Sequence, residues 1–403
     1  MKYITRLVLI LQFILLSACN AQTELKNSSK PFDYDNTKVV GGTFENSEFM
    51  YIDMPNNINS TDTSAGWLQK GQKLLITGKI FKRDGKTPAP NVILYYYHTD
   101  INGYYTNNKD LDPRAVRHGY IRGWVKSNSN GDYAIYTVRP APYPNGDMPA
   151  HIHPSIKEPN IENEYYIDEF VFDDDPLLTG AKRKALENRG GSGILRVVIS
   201  GELQIVEHNI VLGLNIPNYP ETLVSENLSG LNIGEDQPSF IPFHAWGPDK
   251  GTRVCPVCKY GRFHGIIYFV GNNPNWEEVK KWLIFLESES INRSAHLKVY
   301  FVYGKDAGYS KSIRQSELEK IGSQLNLVHI ALTFVPSFSD KDSEVDLNKI
   351  NPEVSNTFII FRHRSIIDKY ISLKPTKENF GLIKNTLDKT ISEYFNLSEP
   401  EHN

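Results

Sequence analysis

From Gln72 onward the apolar residues gather in short runs separated by turn residues. Residues 74–81 (LLITGKIF) read as a strand, and residues 82–86 (KRDGK) as the turn that follows. Residues 91–98 (NVILYYYH) are β-branched and aromatic, bounded by Pro88 and Pro90 before and by Asn102-Gly103 after. Similar runs follow at 119–125, 133–138, 169–172, 195–199 and 204–212. Strands this closely spaced, with Gly, Pro and Asn between them, predict an all-β antiparallel sandwich over residues 63–216. After Pro217 and Pro220 the pattern changes. Residues 265–270 (GIIYFV) form a continuous apolar strand, and residues 276–286 (WEEVKKWLIFL) have helical periodicity behind an Asn275 N-cap. A strand at 297–303, a helix at 313–325 and a strand at 329–335 come next. A hairpin at 357–361 and 366–373 and a helix at 377–395 end the series. This order predicts an α/β domain over residues 221–398, a mixed sheet with helices on both faces.

The first 60 residues follow neither pattern. Lys2 and Arg6 precede a ten-residue apolar run, 7–16, broken only by Gln12. A membrane span takes about 20 residues, so this run reads as the core of a signal peptide over residues 1–18. It ends in Leu16-Ser17-Ala18-Cys19, which resembles a bacterial lipobox. That resemblance implies cleavage before Cys19, lipidation of Cys19, and an extracytoplasmic protein anchored to a membrane by its lipid. Residues 19–62, rich in Asn, Ser and Thr, read as a tether. The 403 residues carry 44 Lys+Arg against 47 Asp+Glu, so no bulk charge draws the chain to nucleic acid. Three cysteines cannot build a disulfide scaffold, and the chemistry must come from local sites.

The sharpest local signal is Pro149-Ala150-His151-Ile152-His153. On a strand, His-x-His puts both imidazoles on one face, where they can share a metal. Alone, such a pair is as compatible with ordinary core or surface histidines. Its surroundings include Tyr143, in Arg139-Pro140-Ala141-Pro142-Tyr143-Pro144, and Tyr105, in Gly103-Tyr104-Tyr105. Two tyrosines and two histidines make a coherent donor set for ferric iron, a hard ion that favours anionic oxygen. A phenol titrates near 10, so binding must displace its proton.

These residues stand in the order of a known family. With Gly78 to Gly85, Arg122-Gly123, Asn130-Gly131-Asp132-Tyr133 and Phe172-Asp173-Asp174-Asp175-Pro176, the region from about 78 to 198 resembles the intradiol ring-cleavage dioxygenases. The resemblance implies that Tyr105, Tyr143, His151 and His153 ligate Fe(III), and that a catechol-type substrate is opened by O2 between its two hydroxyl-bearing carbons. It further implies that Tyr143 leaves the metal and helps to accept a proton. Two features depart from the family. The loop from Tyr143 to His151 is short, and Met148 stands where the family has an arginine that stabilises charge on the ring. Arg122 and Arg139 are the candidate replacements.

The second domain looks like a thioredoxin or peroxiredoxin core. Cys255-Pro256-Val257-Cys258 suggests a redox pair, yet it precedes strand 265–270 instead of following it and opening a helix. A structural disulfide or a quiet thiol pair at Cys255 and Cys258 is the favoured reading. His244 and His264 are the remaining zinc candidates. Asp173-Asp174-Asp175 reads as a solvated loop, Tyr95, Tyr96 and Tyr97 as strand packing, and His98 as a wall residue. Two other functions stay open: a binding module that keeps the sandwich without the chemistry, and a thiol-disulfide oxidoreductase acting through the second domain.

Overall fold

The computed structural model describes residues 39–220 and 228–400. The signal-peptide and Cys19 readings lie outside these residues. The sandwich is built from β1 (Thr61–Thr63), β2 (Lys73–Phe81), β3 (Ile93–His98), β4 (Arg122–Lys126), β5 (Asp132–Val138) and β6 (His151–Lys157). It continues through β7 (Tyr165–Tyr166), β8 (Phe170–Phe172), β9 (Ile194–Leu195), β10 (Val197–Ser200), β11 (Leu203–Glu207) and β12 (Ile210–Val211). A short helix, α1 (Gly180–Ala185), lies between β8 and β9.

One sheet runs β1-β5-β2-β11-β10, with β12 also on β2; the other runs β4-β3-β6-β8-β9, with β7 also on β6. Alternating side chains of both sheets meet in one core, including Leu74, Ile76 and Ile80 of β2, Leu94 and Tyr96 of β3, Ile152 and Ile156 of β6, and Phe170 and Phe172 of β8. The sandwich is mixed, not antiparallel as expected. The pairs β1/β5, β2/β11, β2/β12 and β8/β9 are parallel. Short spacing along the sequence suggests hairpins, but β2 and β11 are joined through most of the domain, and a long crossover permits parallel pairing.

The expected tether, residues 19–62, also needs correction where it is described. Residues 39–62 are part of the sandwich. β1 pairs with β5, and Met50 is fully buried in a 3₁₀ turn, Ser47–Tyr51. Trp124 Nε1 donates to Met50 O at 2.7 Å, and Arg122 bridges to Phe49 O and Asp53. The polar composition that suggested a tether reflects caps and ion pairs around a few buried apolar residues.

The second domain has one six-stranded sheet in the order β13-β16-β15-β14-β17-β18. Its strands are β13 (Phe243–Trp246), β14 (His264–Val270), β15 (Leu297–Gly304), β16 (Ala331–Val335), β17 (Thr357–Arg362) and β18 (Ser365–Ile371). β14, β15 and β16 are parallel neighbours, while β13, β17 and β18 run antiparallel to theirs. β14 is buried on both faces, with Ile266, Tyr268 and Val270 in one core and Ile267 and Phe269 in the other. A continuous apolar run is what such a position demands. The helices are α2 (Pro256–Tyr260), α3 (Trp276–Arg293), α4 (Lys311–Gln324) and α5 (Lys377–Lys389). Asn275 caps α3 by accepting from Glu278 N. β13 escaped the sequence reading because four residues with His and Ala among them carry little pattern. The closing helix stops at Lys389, short of the expected 395, and Phe395 turns back to pack on His264. Among the described residues no helix is long and apolar enough to cross a membrane.

The two sheet systems belong to one unit. Glu207 of β11 accepts from His363 and Ser392, and Ile199 bridges to Ser398. Met50→Ala should therefore lower the unfolding free energy by about 2–5 kcal/mol, as for other buried truncations, in urea denaturation of the full chain. A true tether would show no change.

Candidate metal centre

β6 lies between β3 and β8, with Tyr97 opposite His153, His98 opposite Ile152, and Val171 opposite His151. Ile152 is fully buried in the core, so period-2 alternation turns His151 and His153 to the other face. Tyr105 comes from the β3–β4 connection and Tyr143 from the β5–β6 connection. The two connections are tied together. Thr99 Oγ1 donates to Ala141 O at 2.8 Å, and Ala141 N donates to Asp100 O at 3.1 Å. Asp100 Oδ1 accepts from Asn102 N and Tyr104 N, shaping the turn before Tyr105. Gly103 sits in this turn with φ +82°, and a Cβ there would lie 2.1 Å from Pro142 O. Only glycine allows both the left-handed backbone and so close an approach.

The polar tips of these side chains converge on one point. Tyr105 Oη lies 2.5 Å from Tyr143 Oη and 2.8 Å from His153 Nε2. His151 Nε2 lies 3.1 Å from both Tyr143 Oη and His153 Nε2, and Tyr143 Oη is 3.4 Å from His153 Nε2. His151 Nδ1 stands 2.7 Å from Pro149 O, which fixes the proton there and leaves Nε2 as the lone-pair donor. The His153 ring stacks on Tyr97 at 4.6 Å, and Tyr97 stacks on His118 at 3.7 Å. Glu169 Oε1 approaches His153 Nδ1 at 3.8 Å.

Burial pushes both phenols upward. Tyr105 is raised far above its ordinary value by burial, then by its hydrogen bond to Tyr143 and the charges of Tyr143, Tyr97 and Glu169. Tyr143 is raised by burial and by Glu169, against a lowering from its bond to Tyr105. Burial, then His151, His118 and His98, hold His153 well below 6.5. Two imidazoles beside two crowded phenols favour a cation at their centre, because only a positive charge makes loss of the phenolic protons favourable. The donor set therefore fits a hard trivalent metal: two phenolates would offset two of its charges. Among the described residues no group of three or more His, Cys, Asp and Glu is placed to hold a metal.

Arg122 and Arg139 do not reach this centre. Arg122 is buried, paired with Asp53 and set over Trp124. Arg139 forks onto Asp174, reaches Gln204 and covers Phe172. Met148 is 46% exposed. His98 is a satisfied core residue, bonded to Thr99 O and Thr137 Oγ1. The Asp173-Asp174-Asp175 loop is not solvated as expected. Asp173 binds Arg183 and Arg196, Asp174 binds Arg139, and Asp175 accepts from Ala150 N and Leu177 N. Asp175 thus anchors the backbone next to His151.

Cys255 and Cys258 form a disulfide. They sit at a helix start, contrary to the sequence reading: Cys255 caps α2, where Pro256 suits the first helical position. His244 bonds to backbone carbonyls and His264 to Thr390, apart from either sulfur. The sequence reading missed Tyr97, His118 and Glu169 as neighbours of the centre. Glu169 was legible, since Phe170 and Phe172 facing the core put Glu169 on the face of His153.

Residues 49–190 match the family model described as "Dioxygenase". The protocatechuate 3,4-dioxygenase beta chain of Burkholderia cepacia is 23% identical over 113 residues, 27% of this chain. The chain spans about half of that relative's length, 48%. Among solved structures, hydroxyquinol 1,2-dioxygenase from Pseudomonas putida DLL-E4 is 21% identical with a TM-score of 0.31, covering 51% of this chain and 74% of that one. The dioxygenase domain of a carbohydrate-binding fusion from Streptomyces sp. SirexAA-E is 18% identical with a TM-score of 0.29, covering 40% of this chain and 96% of that one. Residues 49–190 are thus similar in sequence to dioxygenase enzymes.

Asp175→Ala should cost about 1–3 kcal/mol, since it leaves two backbone donors without their acceptor. It should also weaken metal retention by loosening the strand start at His151. Urea denaturation and metal analysis of the same samples check both; unchanged values in both would remove Asp175 from the support of the centre.

Proposed function

We propose that this protein is a non-haem Fe(III) intradiol dioxygenase that cleaves a catechol-type ring between its hydroxyl-bearing carbons, adding both atoms of O2. The observation that carries this reading is the convergence of Tyr105, Tyr143, His151 and His153 on one point, five of their contacts falling between 2.5 and 3.4 Å. These residues would hold the iron. When bound, ferric iron supplies the Lewis acidity that takes up a catechol as its dianion and makes the ring electron-rich toward O2. The chain's own groups do the rest. His151, fixed by Pro149 O, and His153, stacked on Tyr97, keep their Nε2 atoms aimed inward. Tyr143 is half-buried and hydrogen-bonded to Tyr105 and His151, so its oxygen is suited to receive a catechol proton. Tyr97 and His118 form an aromatic wall that limits water on the β3 side.

We read residues 221–398 as a thioredoxin-like domain, supported by the order β15-β14-β17-β18, parallel then antiparallel. We further propose extracytoplasmic anchoring through lipid on Cys19, supported by Leu16-Ser17-Ala18-Cys19 in the sequence.

His151→Ala and His153→Ala should each lose iron by elemental analysis, together with the visible tyrosinate-to-iron absorption of the loaded protein. Full occupancy in both variants would sink the assignment. Cys19→Ser should move the protein out of the membrane fraction or leave it unprocessed; unchanged partition would count against the anchor.

A further inference from the structure

Three successive carboxylates follow β8, and each ties the loop to a different part of the molecule. Asp174 takes the guanidinium of Arg139 with both oxygens, each bond 2.8 Å long. Arg139 opens the segment that leads to Tyr143. Asp175 accepts from Ala150 N at 2.8 Å, one residue before His151. Two segments that carry donors of the centre are therefore held from this one loop. Asp173 makes the third tie. It is bound by Arg183 of α1 and by Arg196, whose Nη1 lies 3.2 Å from Asp173 Oδ2. Against burial, which raises it, the guanidinium groups of Arg196, Arg183 and Arg364 hold the Asp173 carboxyl below its ordinary value.

Arg196 is itself clamped from beyond α5. Glu399 Oε1 lies 2.9 Å from its Nε and 2.8 Å from its Nη2. The segment that carries Glu399 is fixed in place: Ile199 N donates to Ser398 O at 2.8 Å, and Tyr394 and Leu397 pack on Leu75, Val198 and Ile205. Another tie, from Lys184 of α1 to Glu344, joins side chains 48% and 42% exposed, and such a pair contributes little. The Arg196 and Asp173 side chains are only 11% and 14% exposed, where a charge-assisted hydrogen bond keeps more of its strength.

We infer that Arg196 is a positioning residue for the metal centre, and that the segment after α5 completes the support of that centre by holding Arg196 through Glu399. The inference rests on reading Tyr143 and His151 as metal donors. Asp173, Asp174 and Asp175 are consecutive, so a shift of the first carries the other two. With Arg196 loosened, the shift reaches the Tyr143 segment through Arg139 and His151 through Ala150.

The test uses R196M, R196K and E399Q in the full chain. Amide exchange is followed by NMR on metal-free protein at two positions. Ala150 N–H reports the Asp175 bond, and Ile76 in β2 reports global opening. Iron release to EDTA is followed separately on loaded protein. R196M should speed exchange at Ala150 by at least about tenfold more than any change at Ile76, and should speed iron release as well. E399Q should move both in the same direction by a smaller factor, and R196K should restore most of the wild-type behaviour. A merely structural role would change Ala150 and Ile76 by the same factor, and that result overturns the inference. So does Ala150 exchange unmoved in both R196M and E399Q, or faster exchange with iron release unmoved. If R196M does not fold, E399Q decides alone, since its carboxylate is partly exposed. Wild-type protein that takes up no iron overturns the ferric reading instead, and exchange at Ala150 then still decides whether Arg196 holds the loop.

Discussion

Ile152 lies fully buried between the two sheets, and β6 then has no choice but to turn His151 and His153 outward. The rest of the centre depends on that one constraint. β3 supplies Tyr97 beside His153, and the residue just before β8, Glu169, approaches His153 Nδ1. The two tyrosine-bearing connections close over the pair because Gly103 lets them touch. A one-residue slip of β6 would bury the imidazoles and expose the isoleucine, so the core's demand for Ile152 and Ile156 also protects the register of the chemistry.

Much of the centre was legible from a few residues. His151 and His153 announce a shared face because a strand has period 2, and the ordered motifs brought Tyr105 and Tyr143 to them. The short apolar runs marked most strands, and β14 declared its double burial through the unbroken run GIIYFV at 265–270. What escaped was non-local. Nothing in the sequence near Arg122 names Asp53 as its partner, or near Arg139 names Asp174. Both arginines were offered to the substrate and both belong to the scaffold. The parallel pairing of β2 with β11 was equally hidden, since it joins segments far apart in the chain. The pattern of residues 39–62 misled for a simpler reason: one buried methionine and one strand of three residues leave little periodicity to see.

The scaffold arginines share a logic. Arg122 fastens the N-terminal segment to β4, and Arg139 fastens the β5–β6 connection to the loop after β8. Asp175, in that same loop, holds Ala150 N. The segments that carry Tyr143 and His151 are thus gripped from one side by neighbouring carboxylates. A centre made of two connections and one strand end gains its rigidity from such cross-ties.

The segment after α5 returns to the sandwich. Ser398 bridges to Ile199 on β10, the edge of the β1-β5-β2-β11-β10 sheet, and Glu399 pairs with Arg196 beside it. An open edge is a template for unwanted pairing with other chains, and here its cover comes from beyond the second domain's last helix. During synthesis the sandwich is complete in sequence long before residue 398 emerges, so the nascent domain waits with β10 bare. Protection of that edge therefore depends on residues that follow the second domain's last helix, and a chain cut short anywhere in the second domain would leave β10 without its guard.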